Sequence, residues 1–170
     1  MSDYLGENLR TYGERLRAGQ VDRVEGALPP HHPGCYGCGP EAPEGLHVVA
    51  RKVGEEIHAT YAFEARHTGA PGIVHGGLVA ALVDDVCGFA LFVVRAPAVT
   101  RKLEVEYLKP VLVGVTYELV AKVDRYEGRK LFVSCEGRSP EGVLTFRGTG
   151  LFIVVDVSHF EQAAATPFTP

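Results

Sequence analysis

Two adjacent carboxylates, Asp84 and Asp85, sit inside the most apolar stretch of this chain, Leu78 to Val94. A carboxylate in such surroundings is costly unless it is hydrogen-bonded or faces a cavity. The same stretch opens on His75-Gly76-Gly77. Two glycines at a helix start leave the first backbone N–H groups unshielded. Those groups lack intrahelical partners and carry the positive end of the helix dipole. Such a turn can hold the oxygen of a carbonyl under attack. Gly77 and Asp84 share a helix face but lie roughly 10 Å apart along the axis. An oxyanion donor and a base or nucleophile must both come within about 3 Å of the reacting group. One helix does not offer both to one carbonyl, so the site is expected between two copies of the chain.

The other candidates carry less weight. Asp85 is rotated by about 100° from Asp84 and is expected to make a structural hydrogen bond. The run His31-His32-Pro33-Gly34-Cys35-Tyr36-Gly37-Cys38 holds four zinc-type ligands. No second Cys-x-x-Cys follows, and adjacent histidines bind one ion poorly, so a tight loop is expected and neither metal nor cofactor. Cys87 and Cys135 lie in apolar segments and read as small core residues. Between 101 and 130 there are seven basic residues against five acidic ones. Composition alone reads these as a solvated strand face.

The elements that must position these residues follow from pattern. Residues 4–18 read as a short polar helix, and Gly26 to Gly45, rich in proline and glycine, as a lead-in loop. Leu46 to Phe63 reads as two strands turning near Gly54-Glu55-Glu56, with Ile57, Ala59, Tyr61 and Phe63 on one face. Ala65 to Val74 is a loop. One long helix runs from about Gly76 to Val94, stopped by Ala96-Pro97. Four strands follow, about 100–109, 114–125, 130–138 and 143–156, broken at Pro110, Gly128 and Pro140-Glu141-Gly142. A helix apolar nearly all round needs protein on every side. The expectation is therefore an α+β fold, a sheet curled around the helix, with a second copy covering the rest.

At 170 residues, 46% hydrophobic and 22% charged, the chain has the size and composition of one globular domain. A net charge of -4 argues against a general affinity for nucleic acid or anionic membrane. The adjacent carboxylates at mid-span argue against a membrane helix. The opening residues lack the basic and apolar regions of a signal peptide. The cysteine usage fits a soluble protein in the reducing cytoplasm.

Residues 71–85, with His75-Gly76-Gly77 and an aspartate nine positions after the histidine, resemble the signature of the hotdog-fold thioesterases. The likeness is to the branch containing the phenylacetate-pathway thioesterase and the human thioesterase-superfamily members. Thr100 to Pro110, Glu127 to Cys135, and Cys35-Tyr36-Gly37-Cys38-Gly39-Pro40 with Pro43-Glu44-Gly45-Leu46 resemble it further. The likeness spans about residues 35–156 and implies three parts: a helix-and-loop extension at 1–34, a hotdog domain at 35–157 and a tail at 158–170. It also implies a homodimer or homotetramer that hydrolyses acyl-CoA to a carboxylic acid and free CoA. In that reading Gly76 or Gly77 supplies the oxyanion N–H, His75 fixes the loop, Asp84 acts as base or nucleophile, and Thr100 assists. Lys102, Lys109, Gly128, Arg129 and Lys130 would line the route to the CoA phosphates. Two rivals are a hotdog module that binds acyl-CoA without turnover and a hotdog dehydratase. One departure is visible. Where some relatives place an asparagine or glutamine shortly before the histidine, this chain has Gly69-Ala70-Pro71-Gly72.

Overall fold

The computed structural model describes residues 27–156 and Ser158. The described residues form eight strands, the longer ones built on alternating apolar and polar residues: β1 (Ala50–Val53), β2 (Glu56–Ala62), β3 (Thr68–Ala70), β4 (Ile73–Val74), β5 (Ala98–Tyr107), β6 (Thr116–Glu127), β7 (Lys130–Arg138) and β8 (Leu144–Val154). Six of them form one antiparallel sheet in the order β1-β2-β6-β7-β8-β5, which leaves β5 as an edge strand. The α-helix α1 (Gly76–Gly88) lies across its concave face and touches β2, β5, β6, β7 and β8. The expected α+β architecture, a sheet wrapped around one helix, is what the chain adopts.

The core is the helix's inward face, Val79, Leu82, Val83 and Val86, closed against Ile57, Leu119, Leu131, Val133, Phe146 and Phe152. Each of these side chains contributes roughly 1.5–3 kcal/mol by leaving water. A Cβ on Gly148 of β8 would stand 2.5 Å from a Val83 methyl, so glycine there sets how closely helix and sheet approach.

Three details differ from the sequence reading. The helix does not run evenly to Val94. After Gly88 the path tightens, with Ala90 N–H bonded to the Cys87 carbonyl, and continues as the short α2 (Leu91–Val94). The break falls at glycine, a residue poorly suited to a helix interior. The 65–74 loop contains a small hairpin, β3–β4, too short to show a period. The 27–49 segment is a loop, yet an ordered one. It buries Leu28, Cys38, Leu46 and Val48 and bonds through Leu46 N–H to the Tyr36 carbonyl and Val48 N–H to the Gly37 carbonyl. The helix expected at 4–18 lies outside the described residues.

Candidate active site

The turn into α1 is held from several sides. His75 is extended at φ -62°, ψ 126°, and its Nδ1 accepts the Gly77 N–H at 3.0 Å, capping the helix. Its own N–H donates to the His67 carbonyl at 2.8 Å, and the Val74 N–H to the Val111 carbonyl. His67 is buried, and burial holds its imidazole below the ordinary histidine range. A Cβ on Gly69 would come 2.6 Å from the His75 Cα, so a side chain at this position of the departing segment would push the turn aside. Tyr107 of β5 donates its hydroxyl to the Gly76 carbonyl at 2.7 Å.

These bonds distinguish the two glycines. The Gly77 N–H is spent on the cap, whereas among the described residues no hydrogen bond engages the Gly76 N–H. Of the two candidate oxyanion donors, Gly76 is therefore the one with an N–H left to give.

Two turns along the helix the paired carboxylates diverge. Asp84 points to β5, where its Oδ1 accepts the Thr100 hydroxyl at 2.9 Å. Burial pushes its carboxyl above the ordinary aspartate range, and the Thr100 bond opposes part of that rise. Such a carboxylate remains a competent proton acceptor. Asp85 is buried on another side of the helix, with Oδ1 3.3 Å from His31 Nδ1 and 3.5 Å from Cys35 Sγ. Together with Cys38 these groups form a compact cluster that faces the 27–49 loop and not β5.

Strand β5 thus clamps the helix at two points, Thr100 at Asp84 and Tyr107 at Gly76, and runs antiparallel to it. The helical rise between the clamped positions, roughly 12 Å, keeps the carboxylate and the turn of one chain apart. Tyr107 is a residue the sequence reading did not assign; it lay in the matched Thr100–Pro110 stretch, but nothing in its spacing marks a bond to a distant turn.

The basic residues do not all gather here. A β-bulge at Arg101 lets Thr100 pair with Phe152 and Lys102 with Leu151. Thr100 therefore faces the helix, while Lys102 lies on the outer face beside Phe132 and Leu151 and pairs with Glu104 at 3.1 Å. A regular strand would put 100 and 102 on one face; the extra bulge residue separates them. Gly128, at φ 57°, closes the tight β6–β7 turn that presents Arg129 and Lys130 to solvent. Thr100, Phe152 and Leu131 lie in one cross-strand row, so this turn sits at the Asp84 end of the sheet, about two strand spacings or 10 Å away. Lys109 is exposed just beyond β5, at the Gly76 end. Exposed Ile73, Tyr107, Leu108 and Leu112 cluster at that same end.

A family model for the thioesterase superfamily matches residues 71–146, from the turn through most of the sheet. The acyl-coenzyme A thioesterase THEM4 of Xenopus laevis is 36% identical over 86 residues, covering 50% of this chain and 39% of that protein. The chain thus spans about two fifths of the length of such curated relatives. A crystal structure of a thioesterase superfamily protein from Shewanella loihica is 31% identical, covers 64% of this chain and 91% of that one, and superposes with a TM-score of 0.55. Another thioesterase superfamily structure, 24% identical, covers 89% of this chain and 81% of its own with a TM-score of 0.68, which shows the hotdog fold.

Proposed function

Because this chain belongs to the thioesterase superfamily, we propose that it hydrolyses acyl-CoA thioesters at a site shared by two copies of itself. The observation that carries this reading is the arrangement along β5. A half-buried Asp84 is bonded to Thr100 at one end of an unpaired edge strand, and the Gly76 turn is held at the other end. An open edge ten residues long, with no proline, seeks a partner. Pairing two such edges antiparallel about a two-fold axis near Leu103 brings the Thr100 end of one strand alongside the Tyr107 end of the other. Each carboxylate then meets the other chain's Gly76 turn, and the exposed apolar residues at that end are covered.

In this site Asp84 takes a proton from water, whose oxygen attacks the thioester carbonyl. The Gly76 N–H of the second chain stabilises the resulting oxyanion. Collapse breaks the C–S bond, and the departing CoA sulfur takes the proton back from Asp84. Acid and free CoA leave, and no co-reactant beyond water is consumed. In this reading Arg129 and Lys130, exposed at the β6–β7 turn, meet the nucleotide phosphates of CoA.

Thiol release from a panel of acyl-CoA esters tests the activity; saturable binding of these esters without thiol release would favour the non-catalytic rival. Sharing is tested by refolding Asp84→Ala together with Gly76→Val, each inactive alone. For random pairing and independent sites, about a quarter of wild-type activity should return. A mixture that exchanges chains and stays inactive refutes the shared site.

A further inference from the structure

The cluster on the far side of the helix has no part in that chemistry. His31 Nδ1, Cys35 Sγ, Cys38 Sγ and an oxygen of Asp85 all lie within 4.8 Å of one another. Three of the separations are 3.2 Å (His31 to Cys38), 3.3 Å (His31 to Asp85) and 3.5 Å (Cys35 to Asp85). Zinc bonds of about 2.0–2.3 Å in a tetrahedron place neighbouring ligand atoms roughly 3.3–3.8 Å apart. We propose that His31, Cys35, Cys38 and Asp85 form a closed four-ligand site for zinc, which ties the 27–49 loop to α1.

The surroundings support a built site. Asp85 is buried, and its second oxygen has no partner among the described residues, a costly state for a carboxylate without a cation beside it. The His31 ring stacks against Phe89 and Phe92, with centroids 4.4 and 5.9 Å away, and rests on Gly88, where a Cβ would press on the ring at 3.1 Å. Its Nδ1 is thereby aimed at the cluster. The Cys38 sulfur accepts the His31 N–H at 3.3 Å, a bond that supports thiolate charge. A Cβ on Gly37, between the two cysteines, would collide with the Asp85 carboxylate, so glycine is what lets the loop wrap over it. His32 is engaged elsewhere, its Nδ1 accepting the Gly34 N–H at 2.9 Å. The objection that adjacent histidines compete for one ion therefore falls away. All four cysteines are free thiols. Two thiolates, an imidazole and a carboxylate make a donor set suited to zinc, and four protein ligands leave no position for substrate. The ion's role is structural. It fixes the helix one residue from Asp84.

The test uses the full chain, without an affinity tag, purified under reducing conditions. Elemental analysis should find about one zinc per chain. After chelation, titration with Co2+ should give the thiolate charge-transfer and intense visible bands of a tetrahedral site, saturating near one equivalent. Alkylation of Cys35 and Cys38 should be slow in the zinc form and at least tenfold faster after chelation. Cys38→Ser and Asp85→Asn should each lower metal affinity by tenfold or more. Because either variant could fail to fold, the wild-type measurements decide the matter. Folded wild-type chain that holds no zinc and shows no cobalt bands overturns the proposal. So does a Cys35–Cys38 disulfide whose reduction leaves a protein that still refuses metal.

Discussion

Asp84 and Asp85 are neighbours with opposite assignments, so substituting each to asparagine separates the two halves of the reasoning. Asp84→Asn keeps the shape of the side chain and an oxygen that accepts the Thr100 hydroxyl, now 2.9 Å away. The fold should be retained and the melting temperature should change little. What is lost is the proton acceptor, and removing a positioned base costs about 10²- to 10⁴-fold in rate. At 1.36 kcal/mol per tenfold, that raises the barrier by roughly 3–5 kcal/mol. Steady-state thiol release at saturating acyl-CoA should show the loss in kcat, while isothermal titration with the product CoA should show near-normal affinity. Asp85→Asn should invert the pattern, with bound zinc lost and the melting temperature lowered, and kcat of the folded fraction reduced less than tenfold. Equal loss of kcat from both variants, or full turnover by Asp84→Asn, would refute the division of roles.

Two smaller perturbations probe the ends of the site. Tyr107→Phe removes one hydroxyl and its 2.7 Å bond to the Gly76 carbonyl, worth about 1 kcal/mol; kcat should fall roughly fivefold in the same assay, and an unchanged rate would mean that the bond does not position the turn. Arg129→Ala with Lys130→Ala should raise KM for CoA esters at least several-fold more than for pantetheine esters, and the difference should shrink as salt rises, since exposed charges are screened. Equal effects on both substrates would place these residues outside the nucleotide's path.

Much of the fold was legible because its signals are local. The alternation through β2, β6, β7 and β8 and the apolar character of α1 on either side of its two aspartates are each readable in the sequence. The four strands after the helix fall within about two residues of their expected limits, whereas β1, expected from Leu46, begins at Ala50. The turn and Asp84 were legible for a similar reason, since seven residues on a helix fix a shared face and a rise. The zinc cluster was not, because its four ligands come from two elements far apart in sequence and His-x3-Cys-x2-Cys supplies only three. Nothing along the chain says that Asp85 turns toward that loop; only the packing of the 27–49 segment over α1 brings them together.

The bulge at Arg101 shows the same limit on a smaller scale and admits its own test. A period of two would put Lys102 on the face of Thr100, and one unpaired residue reverses it. In a regular strand, deleting one residue flips every side chain on one side of the cut and is ruinous. At a bulge the deleted residue is the surplus one. Removing Arg101 should leave Thr100 opposite Phe152 and Lys102 opposite Leu151, with Asp84 still bonded to Thr100. Deleting Glu104, which pairs regularly with Thr149, should instead exchange inner and outer residues along half of β5. The Arg101 deletion should therefore stay folded by circular dichroism and keep its acyl-CoA hydrolysis within about tenfold of wild type, whereas the Glu104 deletion should lose both. If the Arg101 deletion is as damaging as the other, the local curvature of β5, and not only its pairing, is what holds Thr100 against Asp84, and the strand register alone does not explain the site.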